Sequence, residues 1–320
     1  MPYNNVISRT DAAALIPEEV TSELLTNVTE QSAVMRLGRR LQDMSRAQKR
    51  MPVMSTLATA YFVSGDTGLK QTSEVNWANK YIDAEELAVI VPIPEAVLDD
   101  ADYDVWGEVR PSIEEALGLA IDGAVLYGTN IPASWTTNMG AAGLVAGMTA
   151  ASHVISEAAY TDMYEAILGE TGAGVAGLFG LVEQDGYMVT ASIAHTTTKG
   201  KLRNVRDANG YPIFKPSMQG PTSYELDGAP CDFPMHGGIS STYRLISGMW
   251  RHLVYSMRKD VTYKILDQAV IQDAAGNIIY NLAQQDMVAL RAVMRLGFAL
   301  PHPLTRMDSG TGFPFSALTA

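Results

Sequence analysis

The clearest regular pattern along the chain is a run of apolar residues with helical spacing between positions 106 and 125. Apolar side chains recur there at intervals of three or four residues, which places them on one face of an α-helix of about five turns. These positions are Trp106, Val109, Ile113, Leu117, Ala120, Ile121, Ala124 and Val125. Because Gly128 suits a helix C-terminus, the pattern predicts a long helix that ends there and buries one face.

Apolar and polar residues alternate in the C-terminal third, a pattern typical of β-strands. Every second residue from 288 to 300 is apolar, whereas Arg291 and Arg295 fall on the opposite face. Residues 261–272 and 277–282 flank a turn-forming segment and predict two more strands. This region is therefore the clearest candidate for a sheet.

A long β-hairpin is predicted between residues 51 and 82. Residues 51–63 could be extended, a Gly-rich turn follows at 64–68, and alternation resumes at 75–81. The segment has no continuous apolar run, and a two-stranded hairpin alone is only marginally stable in water. We therefore expect the hairpin to lie on a neighbouring chain.

The remaining segments predict shorter elements of both classes. Pro17 suits the first turn of a helix, and residues 130–150 are rich in Gly and Ala, as expected for a crossover between domains. Further helices are predicted at 162–168 and 193–206, and further strands at 87–94, 178–182, 187–189 and 243–246. The mixture indicates an α+β fold.

Net charge and amino-acid composition exclude some classes of protein function. The chain has 320 residues, of which 47% are hydrophobic, so it can build a core of one or two domains. Its net charge of −12, with Arg9 the one basic residue among the first 35, excludes a shell protein that condenses its genome with a basic arm. The single Cys231 excludes an intramolecular disulfide. With no secretion signal and no apolar run of membrane-spanning length, we expect an intracellular location.

Motifs that could support catalysis are weak. The stretch Gly172 to Gly177 spells a dinucleotide-binding fingerprint, but the expected order is helix before and strand after, the reverse of what that motif needs. Asp100, Asp102 and Asp104 resemble the start of a calcium loop that lacks its later ligands. No two histidines have metal-ligand spacing, and an inert thiol is the favoured interpretation of Cys231. We expect no catalytic residue, cofactor or metal.

Charges are strongly segregated along the chain. Residues 36–50 hold six basic side chains, whereas residues 81–109 hold nine acids and no Lys or Arg. Two hypotheses remain open: both stretches are ordinary solvated faces, or the basic stretch of one subunit meets the acidic stretch of another.

Six segments carry a resemblance to a known family: ALIPEEV at 14–20, EQSAVM at 30–35, DGAVLYGT at 122–129, YKILDQA at 263–269, DMVALR at 286–291 and MRLGF at 294–298. In this order they resemble the major capsid proteins of tailed double-stranded-DNA bacteriophages. That Hong Kong 97-type fold is shared with bacterial encapsulins. The resemblance covers about residues 14–307, and none of its motifs is catalytic.

The resemblance implies a division of the chain into the parts of that fold. They are an N-terminal arm (1–40), an extended hairpin loop (41–85), a peripheral domain with a long spine helix (86–148) and its sheet (259–307), an axial domain (149–258) and a C-terminal tail (308–320). Such subunits form pentamers and hexamers of an icosahedral head in the bacterial cytoplasm. Scaffolding, portal and decoration proteins would be separate partners, and packaged DNA would be enclosed without tight binding.

Residues expected to contact neighbouring subunits combine the charge pattern with the resemblance. They are Arg36, Arg39, Arg40, Arg46, Lys49, Arg50, Lys70, Trp77, Asp99, Asp100, Asp102, Asp104, Arg291 and Arg295. Some relatives cross-link a hairpin lysine to a neighbour's asparagine. Lys70 lies near the predicted hairpin tip, and Asn277 and Asn281 lie in the predicted sheet, but the sequence matches neither side to the cross-linking pattern.

Two alternatives stay open at this point. An encapsulin shell would be distinguished by a neighbouring cargo-enzyme gene instead of portal and terminase genes. A dinucleotide-binding enzyme using residues 172–177 would be dismissed if the purified protein bound no nucleotide.

Overall fold

The computed structural model describes residues 32–63, 68–100, 104–169, 176–206, 209–211, 213–214, 224–273, 275–301, 305–307 and 312–320. Within them the chain forms two larger sheets and two two-stranded ribbons, with helices interspersed. The predicted helix that starts at Pro17 lies outside the described residues. So do residues 172–175 of the glycine-rich motif and Asp102.

The α-helices of the described residues are, in chain order, α1 (Ala33–Leu37), α2 (Glu95–Asp100), α3 (Val105–Tyr127), α4 (Ala133–Met139), α5 (Leu144–Ala150), α6 (Met163–Leu168), α7 (Leu178–Gln184) and α8 (Thr196–Asn204). Short 3₁₀ turns occupy Glu157–Ala159 and Trp250–His252.

The strands of the described residues are β1 (Arg39–Arg40), β2 (Gln48–Thr56), β3 (Asn76–Asp83), β4 (Glu85–Pro94), β5 (Val154–Ser156), β6 (Ala191–Ala194), β7 (Glu225–Leu226), β8 (Ala229–Asp232), β9 (Tyr243–Gly248), β10 (Val254–Leu266), β11 (Val270–Gln272), β12 (Ile278–Asn281), β13 (Met287–Ala299) and β14 (Phe315–Thr319).

The first sheet has the order β1-β10-β13-β4, and the long helix α3 packs on one face of it. Ile113 and Leu117 of α3 form a buried cluster with Leu290 and Ala292 of β13. The apolar stripe predicted from the sequence is therefore buried over most of its length, whereas Trp106 and Val109 are half-buried and Ala120 is exposed. The helix ends at Gly128, whose left-handed φ of 72° allows the C-cap. Both predictions are confirmed.

Strand β13 is buried on both faces, which its alternating sequence does not reveal. Its even-numbered residues face the helices, as predicted, but Ala289 and Ala299 on the opposite face are buried too. At Gly297 an added Cβ would lie 2.4 Å from the carbonyl oxygen of Asp83. Small residues therefore let the root of the β2–β3 hairpin approach this strand closely.

The second sheet has the order β5-β14-β9-β6-β8-β7. Strand β14 lies between β5 and β9, with parallel and antiparallel pairing respectively, and Phe315 is fully buried. The assignment of residues 308–320 to a C-terminal tail is therefore wrong for residues 315–319. The apolar run of β14 is too short for its periodicity to predict a strand. The strand is recognised only from its pairing with β5 and β9, which are distant in sequence.

One predicted helix has the wrong start, and two short predicted strands are wrong. Residues 193–206 were predicted as one helix, but β6 ends at Ala194 and α8 begins at Thr196, with the His195 side chain accepting a hydrogen bond from the Thr197 N–H. Residues 178–182, predicted as a strand, lie in helix α7, and residues 187–189 are irregular. Short apolar runs do not distinguish a buried helix from a buried strand.

The helix α7 also changes the setting of the glycine-rich motif. A helix, α6, precedes the motif as expected, but a second helix follows Gly177 where a strand was predicted. The described residues immediately before the motif contain only an isolated bridge between Gly169 and Ala176. The strand that a dinucleotide-binding motif requires before its glycines is therefore not formed by the described part of this region.

Candidate assembly interface

The predicted hairpin is present as the β2–β3 ribbon. Its antiparallel register runs from the Gln48–Asp83 pair to the Thr56–Asn76 pair, and the chain continues beyond these strands toward the tip. Phe62 is fully exposed, Leu69 is 92% exposed and Trp77 is 67% exposed. Exposing large apolar side chains to water costs free energy. The exposed side chains of this hairpin are therefore typical of a surface that becomes buried in an assembly.

The root of the hairpin, in contrast, is fixed to its own chain. Ile82 is fully buried in a cluster with Met44, Val254 and Ala299. The carboxylate of Asp83 accepts a hydrogen bond of 3.0 Å from the Asn138 side chain. The root of the hairpin is therefore held by the core and the polar contacts of its own chain.

The basic stretch lies beside this root and is partly neutralised within the chain. Arg36 forms an ion pair with Asp232, and Arg40 pairs with Asp43 at 3.0 Å. The hydrogen bond to Asp43 raises the pKa of the Arg40 guanidinium. Lys49 donates a 2.7 Å hydrogen bond to the carbonyl oxygen of Gln42.

The other members of the stretch are exposed. Arg39, Arg46 and Arg50 take part in none of the ion pairs formed by the described residues. Lys70, near the hairpin tip, is exposed as well. These four cations are available to an acidic partner.

The acidic candidates are separate from the basic ones. Asp99 and Asp100 are exposed at the end of α2, and Asp104 is the N-cap residue of α3 without a side-chain capping hydrogen bond. The Asp104 carboxylate lies at the N-terminus of α3, where negative charge is favourable. The structure brings none of these three into an ion pair with the basic stretch among the residues it describes.

Arg291 and Arg295 share one face of β13, as predicted. Arg295 forms an ion pair with Glu86 on the neighbouring strand β4, with 2.8 Å between Nε and the carboxylate. Arg291 lies opposite Lys264 of β10, and its buried Nε has no hydrogen-bond partner among the described residues. Two adjacent cations on one sheet face destabilise an isolated chain slightly.

Sequence reasoning missed a buried polar cluster at the base of the arm. The fully buried Asp122 of α3 accepts hydrogen bonds from the Ser32 hydroxyl, the Ala33 N–H (2.9 Å) and the Val34 N–H (3.1 Å). His236 Nε2 lies 3.0 Å from the other side of the same carboxylate group, at Oδ2. Asp122 therefore caps α1 from another helix and connects the arm base, α3 and the loop before β9. The sequence contains one indication of this cluster: the acidic Asp122 directly follows Ile121 of the apolar stripe predicted for α3.

A second buried histidine holds the last strand. His153 Nδ1 lies 3.0 Å from the carbonyl oxygen of Phe315, and its Nε2 lies 3.1 Å from the Asp185 carboxylate. Asp185 also accepts a 2.8 Å hydrogen bond from the N–H of Phe313. These contacts attach β14 to the second sheet and explain why this segment is not a free tail.

No arrangement typical of catalysis accompanies these clusters in the described part of the chain. Burial raises the pKa of the Cys231 thiol to about 12, which makes it a poor nucleophile. No three His, Cys, Asp or Glu side chains of the described residues are grouped closely enough to hold a metal ion. No helix described here is both long and apolar enough to cross a membrane.

Comparison with known proteins identifies the family to which this fold belongs. A family model described as "Phage capsid family" matches residues 12–304. The chain belongs to the phage capsid family. Its α+β fold is therefore the Hong Kong 97-type capsid fold, and it is a structural protein of a phage head and not an enzyme.

Individual phage capsid relatives agree over nearly the whole length. The major capsid protein of Staphylococcus phage 80alpha is 26% identical over 297 residues, which cover 92% of this chain and 84% of the relative. A solved chain from Microbacterium phage Oxtober96 is 32% identical with a TM-score of 0.82, covering 98% of this chain and 99% of that one. A chain from Mycobacterium phage Adephagia is 30% identical with a TM-score of 0.79, covering 98% of both.

Proposed function

We propose that the chain assembles with copies of itself as pentamers and hexamers, and that these tile an icosahedral head around double-stranded DNA. The observation that carries this proposal is the β2–β3 hairpin, whose root is buried while Phe62, Leu69 and Trp77 stand in water. Two strands alone do not shield such side chains. A closed symmetric assembly supplies every hairpin with the same partner surface.

The two larger sheets suit the two domains of such a subunit. Residues 86–148 with 259–307 would form the peripheral domain, because β4, β10 and β13 belong to the first sheet and α3 packs on it. Residues 149–258 would form the axial domain around the second sheet, to which β14 adds residues 315–319. Residues 1–40 would form the arm, and residues 41–85 the hairpin loop.

The charged candidates would set the register between subunits. The exposed Arg39, Arg46 and Arg50 of one copy would lie near the exposed acids Asp99, Asp100 and Asp104 of another. Such complementarity selects one orientation more than it adds affinity, because exposed ion pairs are weak. Arg291, which is half-buried on the same face of β13 as Arg295, would lie close to this contact.

The net charge of the chain determines how strongly the subunit would bind packaged DNA. At −12 the subunit is repelled by duplex DNA, so packaged DNA would be enclosed and not bound tightly. A motor acting through a portal would then drive the DNA in, and scaffolding or decoration proteins would be separate chains. Assembly would take place in the cytoplasm of the host bacterium before the shell becomes part of the virion.

Replacing residues 54–79 by a short Gly-Ser linker tests the proposal. None of the described residues from 54 to 79 is buried, although Arg306 donates a hydrogen bond to the carbonyl oxygen of Ala58. The variant should therefore keep a native-like circular dichroism spectrum but lose the ability to form shells. Electron microscopy of variant and unaltered protein, expressed in parallel, gives the comparison. Shells of normal number and size would contradict the proposed role of the hairpin, and an unfolded variant would place the hairpin in the subunit core.

A further inference from the structure

One buried ionisable pair, His153 and Asp185, contacts the C-terminal end of the chain. We define the C-terminal strap as the described residues 305–307 and 312–320, which follow β13 of the first sheet and end with β14 of the second. His153 is 6% exposed and stands directly before β5, next to β14. Ser152 before it has a left-handed φ of 61°, an uncommon conformation for a residue other than glycine.

The partners of the two ring nitrogens define how many protons His153 carries. Nδ1 lies 3.0 Å from the carbonyl oxygen of Phe315, which can only accept a hydrogen bond, so Nδ1 carries a proton. Nε2 lies 3.1 Å from Asp185 Oδ2, which also accepts the N–H of Phe313 at 2.8 Å. A lone pair on Nε2 would face an acceptor, so this contact requires a second proton between the two atoms. The geometry therefore describes an imidazolium paired with a carboxylate.

The pair formed by His236 and Asp122 has a different arrangement. Nδ1 of His236 accepts the N–H of Gly238 at 3.0 Å, so this nitrogen carries no proton. Its Nε2 faces Asp122 at 3.0 Å and can donate as part of a neutral ring. The contacts of His236 are thus satisfied by one ring proton, whereas those of His153 need two.

No other charge is bound to the His153 ring within the described part of the chain. The backbone of His153 is bonded to Met148 of α5 and to Ala317 of β14, and α5, β5 and β14 contain no ionisable side chain. The ionisable groups on the surrounding elements have other settings. They are Glu183, which is exposed, Glu157, which pairs with Lys201 and Arg244, Arg306, which donates to the carbonyl oxygen of Ala58, and His252, which packs on Tyr187.

From this geometry we infer that His153 is a proton-dependent latch for the C-terminal strap. With both nitrogens protonated, the ring joins the strap to β5 and to the turn that carries Asp185. When alkaline pH removes one proton, a lone pair faces a buried carboxylate and the strap loses an anchor. The second proton stabilises the closed latch, so closure is complete at lower pH and is lost as the pH rises.

Opening of the latch would change the connection between the two larger sheets. The strap follows β13 of the first sheet, and β14 fills the gap between β5 and β9 in the second. The pH would therefore set how firmly the end of the chain ties one sheet to the other. This property belongs to the single subunit and does not depend on how copies assemble.

Hydrogen–deuterium exchange of the full-length chain, followed by mass spectrometry, tests the latch. Peptides from β14 and β13 are compared in the same sample at about pH 6 and about pH 9, so that the change in chemical exchange rate cancels. The protection of β14 relative to β13 should fall about tenfold as the pH rises, because a buried group without its hydrogen bond lets the strand open more often.

Two variants assign this effect to the pair. His153→Gln removes the titrating ring, and Asp185→Asn removes the carboxylate that requires the second proton. In both, β14 should be less protected at the lower pH, and the pH dependence of the ratio should disappear. His252→Gln is the matched control, because it changes another histidine and leaves the pair intact; it should keep the full pH dependence.

The unaltered chain alone can overturn the inference, even if both variants fail to fold. A β14-to-β13 ratio that is the same at the two pH values would show that no proton holds the strap. Persistence of the pH dependence in His153→Gln or Asp185→Asn would also overturn it, as would loss of the dependence in His252→Gln.

Discussion

Replacing Asp122 by alanine should destabilise the subunit strongly, although this residue is not itself one of the proposed subunit contacts. Asp122 is fully buried, and its carboxylate accepts from Ser32, Ala33 and Val34 while it lies 3.0 Å from His236. Alanine removes the acceptor and leaves these donors in a dry interior. The variant therefore measures how firmly the arm base is attached to α3.

The expected loss in the free energy of unfolding follows from the number of hydrogen-bond donors that lose the Asp122 carboxylate as their acceptor. Each buried donor without an acceptor costs about 1–3 kcal/mol. Because these contacts form one network, the terms do not add, and we expect a loss of about 3–5 kcal/mol. Asp122→Asn keeps the volume and one acceptor, so its loss should be smaller, about 1–3 kcal/mol.

Urea unfolding of dispersed subunits, followed by far-ultraviolet circular dichroism, measures the difference. Glu115→Ala is the matched control, because this acid lies on the same helix with partial exposure and should change stability by less than about 0.5 kcal/mol. A loss below about 1 kcal/mol for Asp122→Ala would refute the reasoning, since the carboxylate would then not serve as the shared acceptor.

Two further predictions concern the core and the genome, and a third the cysteine. Leu117→Ala should lower stability by about 2–5 kcal/mol, because this side chain is 4% exposed against β13, and an unchanged melting temperature would contradict its burial. The dispersed subunit should not shift duplex DNA in a gel at sub-micromolar concentration and physiological salt, since its net charge is −12. Iodoacetamide at pH 8 should modify Cys231 only after unfolding, because burial raises the pKa of this thiol to about 12. Rapid labelling of the folded protein, measured by mass spectrometry, would show that the thiol is accessible to solvent.

Long periodic segments could be predicted from the sequence because their periods persist over many residues. The apolar stripe of α3 and the alternation of β13 each extend far beyond the length at which chance patterns arise, and the structure confirms both. The hairpin was predicted for a related reason: turn residues separate two extended segments, and β2 pairs with β3 as expected.

Short segments depended on partners that are distant in sequence. Strand β14 was assigned to a tail because five residues carry little periodicity, and its position between β5 and β9 follows only from the folded chain. Helix α7 was mistaken for a strand because its apolar residues form a short run that fits both classes.

The sequence identified charged candidates for a subunit interface, but it did not identify the residues with which they pair inside their own chain. That these candidates contact neighbouring subunits stays a prediction. The charge segregation identified Arg36 and Arg40, and the strand alternation identified Arg295. Their pairing with Asp232, Asp43 and Glu86 depends on turns and on strand register. The Asp122 cluster was missed because Ser32 lies 90 residues away in sequence and meets the carboxylate only after folding.

The most direct test of the account is electron microscopy of the purified chain, expressed alone and with its scaffolding protein. The account predicts closed icosahedral shells built from fivefold and sixfold rings, with each hairpin lying across a neighbouring copy. Sedimentation of the same samples should show pentamers, hexamers or larger particles. A protein that remains monomeric at high concentration under both conditions would contradict the central claim.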